Sequence, residues 1–191
     1  PGQVAYIKGR YIGNNIRLIE DIMDFYERSE RGGIMFALDF KKAYDSLEWE
    51  FLFQVLEKLN FGNTFISLVK TLYSNPVSFV KNNGYCTRPI HIERGIRQGC
   101  PVSCLLFIIA VEVMGQKIRQ VQDIRGIDIP QSNKVVKILQ YADDAVVFLD
   151  NIQELENLIK IVTKFGQLAG TTLNLSKCEG LWFGTYKDRQ N

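Results

Sequence analysis

The chain has 191 residues, 46% of them hydrophobic and 23% charged, which excludes a disordered polymer and fits one globular domain with a real core. Its formal net charge of +2 neither advertises nor excludes a nucleic-acid partner, so any groove for one must come from local clustering of the 23 Lys and Arg. Cys86, Cys100, Cys104 and Cys178 lack paired spacing and His91 is the single histidine, a set that speaks against zinc and for free thiols in a reducing compartment, nucleus or cytoplasm. The longest apolar run, Leu105 to Val111, is far short of the ~20 residues that cross a bilayer, so no membrane partner is expected. The opening Pro-Gly-Gln carries no signal peptide and no methionine, as in a fragment or a processed piece.

In chain order, Tyr6-Ile7-Lys8-Gly9-Arg10 reads as a basic turn, either solvated or offering Lys8 and Arg10 to phosphate. Ile16, Ile19, Met23 and Tyr26 predict a helix from about Asn14 to Glu27. The apolar run Gly33 to Leu38 predicts a core strand ending on Asp39. After a polar turn, Trp49, Leu52, Phe53, Leu56 and Leu59 predict a helix over Leu47 to Leu59, capped by Asp45 with Glu48 three residues on, or by Ser46. A helix over Thr64 to Tyr73 closes before Pro76, and Val77 to Lys81 and Tyr85 to Glu93 flank an Asn-Gly hairpin signal at Asn83-Gly84. Pro101 opens a helix to Ile118, with Val102, Leu105, Leu106, Ile109 and Val113 as its apolar face. Arg119 to Lys134 is irregular, with a short edge strand at Ile127-Asp128-Ile129-Pro130. Leu139 to Phe148 reads as a hairpin hinged on Asp143-Asp144. A helix follows over Gln153 to Leu168, with Leu155, Leu158, Ile159, Val162 and Phe165 on one face, and Leu181-Trp182-Phe183 forms the last hairpin of the sheet. The order of elements is that of an α+β fold, an antiparallel sheet covered by helices.

Two adjacent carboxylates at a hairpin tip are a polar turn in the plainest reading. Held about 4 Å apart they repel by about 4 kcal/mol at an effective dielectric of ~20, a cost that a cation between them would offset. Asp39 ends another strand, and once Asp45 or Ser46 caps the next helix it has no structural task of its own. Three carboxylates on strand ends are the donor set that a two-metal phosphoryl-transfer site requires, since hard divalent ions take oxygen ligands.

Four blocks in order carry a resemblance. They are Ala37-Leu38-Asp39-Phe40-Lys41-Lys42-Ala43-Tyr44-Asp45, Gly95-Ile96-Arg97-Gln98-Gly99-Cys100-Pro101-Val102-Ser103, Tyr141-Ala142-Asp143-Asp144 and Gly170 to Cys178. Together they resemble the palm of reverse transcriptases, specifically the LINE-type (non-LTR) retrotransposon branch. The resemblance implies an RNA-directed DNA polymerase core that transfers a nucleotide from a dNTP to a primer 3′-hydroxyl on an RNA template. Asp39, Asp143 and Asp144 would hold two Mg²⁺, with Mn²⁺ as a substitute. Tyr44 would be the steric gate against a ribose 2′-hydroxyl, or else a core aromatic. Arg97, Gln98 and Gly99 would lie beside the nascent base pair and template, or form an ordinary polar loop. Lys177 would neutralise or protonate the leaving pyrophosphate, or be a surface lysine. The resemblance further implies a partial domain over 1–191, with 1–33 fingers-like and 34–191 palm-like, whose partners are RNA template, DNA primer and dNTP. The thumb, and any endonuclease domain, would lie elsewhere in the same polyprotein. The alternative from another class is a noncatalytic retrotransposon-derived relic that binds nucleic acid or protein.

Overall fold

The computed structural model describes residues 2–129 and 132–187. Helix α1, Ile12–Arg28, leads into β1, Gly32–Leu38; after Asp39 come β2, Phe40–Lys41, the single-turn helix α2, Ala43–Ser46, then α3, Trp49–Lys58, and α4, Asn63–Leu72. Four two-residue strands follow, β3 at Val77–Ser78, β4 at Lys81–Asn82, β5 at Tyr85–Cys86 and β6 at Ile90–His91. The long helix α5, Pro101–Gln120, precedes β7, Ile127–Asp128, β8, Val135–Val136, β9, Ile138–Tyr141, and β10, Asp144–Leu149. Helix α6, Ile152–Ala169, and strands β11, Thr172–Leu173, and β12, Glu179–Gly184, complete the described chain.

The central sheet runs β12-β1-β10-β9, every neighbouring pair antiparallel. Because side chains alternate along a strand, the sheet divides its apolar residues between two faces. Ile34 and Leu38 of β1 and Ala145, Val147 and Leu149 of β10 enter a large core with Leu52, Leu56, Phe107 and Leu158 from the helices. Phe148, Leu139 and Phe183 point the other way, onto Ile22 and Tyr26 of α1. Each such large side chain, fully buried, contributes about 1.5–3 kcal/mol of transfer free energy. A helix layer thus covers each face, as the α+β reading expects.

Several expectations change in detail. The helix after Asp39 starts at Trp49, and Glu48 occupies its N-cap without a side-chain cap bond. Asp45 and Ser46 are not caps: they lie inside α2, whose own N-cap is Lys42. The competing partner is tertiary, since the Glu48 amide donates to the Ala169 carbonyl and its carboxylate meets Arg94 at 3.4 Å. On α5 the predicted face holds in part: Leu106 is buried, and Val102 and Ile109 pack partly buried against the core. Leu105 and Val113 are exposed, whereas Leu106, Phe107, Ala110, Met114 and Ile118 are the buried set. A helix that is apolar around most of its circumference has no stripe to read, and the sheet chooses which side it covers. By length and composition α5 is also long and apolar enough to cross a bilayer, which the run Leu105 to Val111 alone did not suggest; here it is the central core helix. Among the described residues Leu181-Trp182-Phe183 makes no hairpin with a chain neighbour, and β12 instead pairs along β1. Pro130 lies outside the described residues.

Candidate active site at the end of the central sheet

The β1–β10 register runs from Ile34 opposite Leu149 to Leu38 opposite Ala145. One step further, Asp39 comes level with Asp144, the first residue of β10, and Asp143 stands in the turn between β9 and β10. Acids about a hundred positions apart in sequence therefore meet at one sheet end. The electrostatics agree. Partial desolvation first, then the charges of Asp143 and Asp39, push the Asp144 carboxyl above its ordinary value. The donor set, three hard carboxylates on adjacent strand ends, suits Mg²⁺ or Mn²⁺. Among the described residues, however, no group of three His, Cys, Asp or Glu side chains is drawn together closely enough to hold an ion as it stands. The expected convergence is one of position, and like-charge repulsion opposes closure of the carboxylates into a cage.

Asp39 is fixed from the C-terminal side. Its amide donates to Cys178 Sγ at 3.5 Å and its carbonyl accepts from the Asn174 amide at 2.8 Å, while β2 pairs with β11. These bonds carry the block Gly170 to Cys178 to the acid. A cavity of about 750 Å³ opens there, lined among others by Asp39, Lys41, Lys42, Arg94, Asn174 and Lys177. Four cations against the carboxylates of Asp39 and Asp45 make it a place for an anion. Asp143 and Asp144 are not among its lining residues, so the cavity lies to one side of the acid cluster. Lys177 was expected here. Lys41, Lys42 and Arg94 were not, although the Lys-Lys pair beside Asp39 was a visible signal; Arg94 gave none.

Tyr44 is not among the residues lining that cavity. Its ring stacks on Phe107 at 4.2 Å between centroids and 15° between planes, and the Tyr6 side chain is near enough to act on its phenol. Burial first, then the neighbouring Tyr6, push the phenol well above its ordinary range, so it stays protonated. The ring is thus half-buried against the core, with the Asp143 charge near enough to act on it. The loop of Arg97, Gln98 and Gly99 is tied beneath by the Ile96 amide donating to the Tyr44 carbonyl at 2.8 Å and by Trp49 Nε1 donating to the Gly95 carbonyl at 2.6 Å. All three loop residues are exposed. Gln98 donates to Asp45 at 3.1 Å, which gives Asp45 the partner that no helix cap supplies. Arg10, expected to meet phosphate or solvent, donates instead to the Gln3 carbonyl.

The profile of the family described as "Reverse transcriptase (RNA-dependent DNA polymerase)" matches residues 3–187. This chain belongs to that family. Its relatives are Pol-type proteins of mobile elements. It is 30% identical over 187 residues to the "Transposon TX1 uncharacterized 149 kDa protein" of Xenopus laevis, covering 98% of this chain and 14% of that protein. It is 24% identical over 178 residues to the Pol polyprotein of the type-2 retrotransposable element R2DM of Drosophila melanogaster, covering 93% of this chain and 16% of that one. These matches relate the domain to non-LTR, LINE- and R2-type retrotransposon proteins. The chain spans less than a third of the length of each of these relatives. Among solved structures, telomerase of Candida tropicalis in complex with a fragment of telomeric RNA shares the fold with a TM-score of 0.67, at 14% identity, covering 95% of this chain and 30% of that one. Reverse transcriptases generally depend on a divalent metal, Mg²⁺.

Proposed function

We propose that this domain is the nucleotidyl-transfer core of an RNA-directed DNA polymerase, adding deoxynucleotides to a primer 3′-hydroxyl on an RNA template. One observation carries the reading: Asp39 comes level with Asp144 at the sheet end, directly beside a cavity walled by four cations. Asp39, Asp143 and Asp144 are assigned to hold two Mg²⁺, which when bound lower the pKa of the attacking hydroxyl and neutralise the leaving pyrophosphate. Lys41, Lys42 and Arg94 take the triphosphate as point and forked cations. Lys177 holds a proton at the departing pyrophosphate oxygen. The Tyr44 ring, backed by Phe107, has little room to yield, which supports a steric gate against a 2′-hydroxyl. Arg97, Gln98 and Gly99 form the exposed rim on which template and nascent base pair rest. The remaining length of the relatives supports a thumb, and a possible endonuclease, elsewhere in the same polyprotein. In this reading residues 1–33 serve as the fingers-like segment and 34–191 as the palm, working where template and primer are, in nucleus or cytoplasm.

Asp143→Asn in the intact protein should lower Mg²⁺-dependent primer extension on an RNA template by on the order of 10³-fold, the scale of a lost transition-state charge contact. Its circular dichroism spectrum and melting should be those of a folded chain. Equal extension by the two proteins removes the assignment. Failure of the wild-type protein to bind Mg²⁺ or Mn²⁺ in a metal titration would favour the relic reading.

A further inference from the structure

The turn that presents the acids is strained. Ala142 has φ +53, a left-handed value that costs a residue with a Cβ about 1–2 kcal/mol. It is also buried. What over-determines it lies 139 positions away, in Gln3. The Gln3 side chain is 4% exposed; its Oε1 accepts from the Ala142 amide at 3.0 Å and from the Ala5 amide at 2.9 Å, and its Nε2 donates to the Ala142 carbonyl at 3.4 Å. One side chain thus grips both polar groups of the residue preceding Asp143. Its own backbone is anchored in turn. The Val4 amide donates to the Gln140 carbonyl at 3.1 Å, the Gln140 amide to the Gly2 carbonyl at 2.9 Å, and Arg10 to the Gln3 carbonyl.

We infer that Gln3 is a positioning residue for the catalytic turn, and that the segment from Gly2 to Ala5 is a strap which sets Asp143 and Asp144 through it. The inference rests on the polymerase reading for its consequence, but not for its geometry. Gln3 touches no reacting atom. It fixes the peptide from which both carboxylates project, so its loss lets the acids wander while the cavity for the triphosphate stays as it is. The kinetic signature is therefore a fall in kcat at constant KM for nucleotide.

Two measurements test it. In the unmutated protein the Ala142 amide, which no strand ladder protects, should exchange with deuterium as slowly as its neighbours in β9 and β10; fast exchange overturns the inference with no variant needed. Gln3→Met keeps the volume and removes all three hydrogen bonds. It should accelerate exchange at Ala142 at least tenfold and lower kcat about tenfold or more, with KM for dNTP within about twofold. Gln3→Glu, which keeps the accepting oxygen, should restore protection of Ala142. Unchanged exchange and kcat in Gln3→Met sink the clamp. Asp144→Asn run alongside separates the two claims: if it still extends primers, the polymerase reading has failed, and the exchange data alone judge Gln3.

Discussion

Among the described residues two hairpins turn through two residues, β4–β5 at Asn83-Gly84 and β9–β10 at Ala142-Asp143. The first has positive φ at both positions, 47° at Asn83 and 86° at Gly84, supplied by the residues that take such values most readily. Every residue from Val77 to Arg94 is exposed, including Phe79 at 53% and Tyr85 at 82%. The second forces alanine to the same side of φ and puts two like charges beside it. Its strands are buried on both faces, and Gln3 grips the turn. Local chemistry builds the first hairpin, whereas tertiary contacts hold the second against its local preference. Strain of this kind persists at functional sites because the surroundings over-determine it.

The sharpest break of the comparison swaps matched aromatics for alanine. Phe148→Ala, from a fully buried strand residue of the β9–β10 hairpin, should cost about 3–5 kcal/mol in urea unfolding and lower the whole transition. Next in size is Gly84→Ala, which places a Cβ at φ +86 and should cost about 1–2 kcal/mol. That loss should stay local: amide exchange should quicken over residues 81–86 while the main melting transition holds. Asp144→Asn should act in the opposite sense, raising metal-free stability at neutral pH by no more than about 1 kcal/mol, since the group is partly screened by solvent. Its carboxyl binds a proton more tightly in the fold than in the unfolded chain. The wild type therefore loses stability as pH rises from the ordinary carboxylate range through the raised value. The variant should show no such loss from this site, and the two proteins should melt alike in acid. Chelated samples scanned from pH 3 to 8 would show a gap opening with pH, and a constant gap would refute it. Smallest of all, Tyr85→Ala should stay within about 0.5 kcal/mol of wild type.

Much of this site was legible because short stretches carried it. The acids, Tyr44, Gln98 and Lys177 stand in compact blocks, and an apolar run ending on Asp39 reads as a strand end without help. The Asn83-Gly84 hairpin and the helix opened by Pro101 were equally local. What misled was also local. Asp45 with Glu48 has the spelling of a capping box, but a tertiary carbonyl at Ala169 and the Arg94 guanidinium claim Glu48, and Gln98 claims Asp45. On α5, Leu105 and Val113 are as apolar as Leu106 and Met114, so no pattern says which pair meets the sheet.

The residue order alone determined the family's motifs, the strand ends that bear the acids and the charge chemistry open to them, because each is a property of neighbours along the chain. Only the tertiary structure decided that Asp39 lies level with Asp144, that Cys178 and Asn174 grip Asp39, and that Gln3 holds Ala142. Those pairings span more than a hundred residues, and strand register and packing, which have no local spelling, are what bring them within reach of a hydrogen bond.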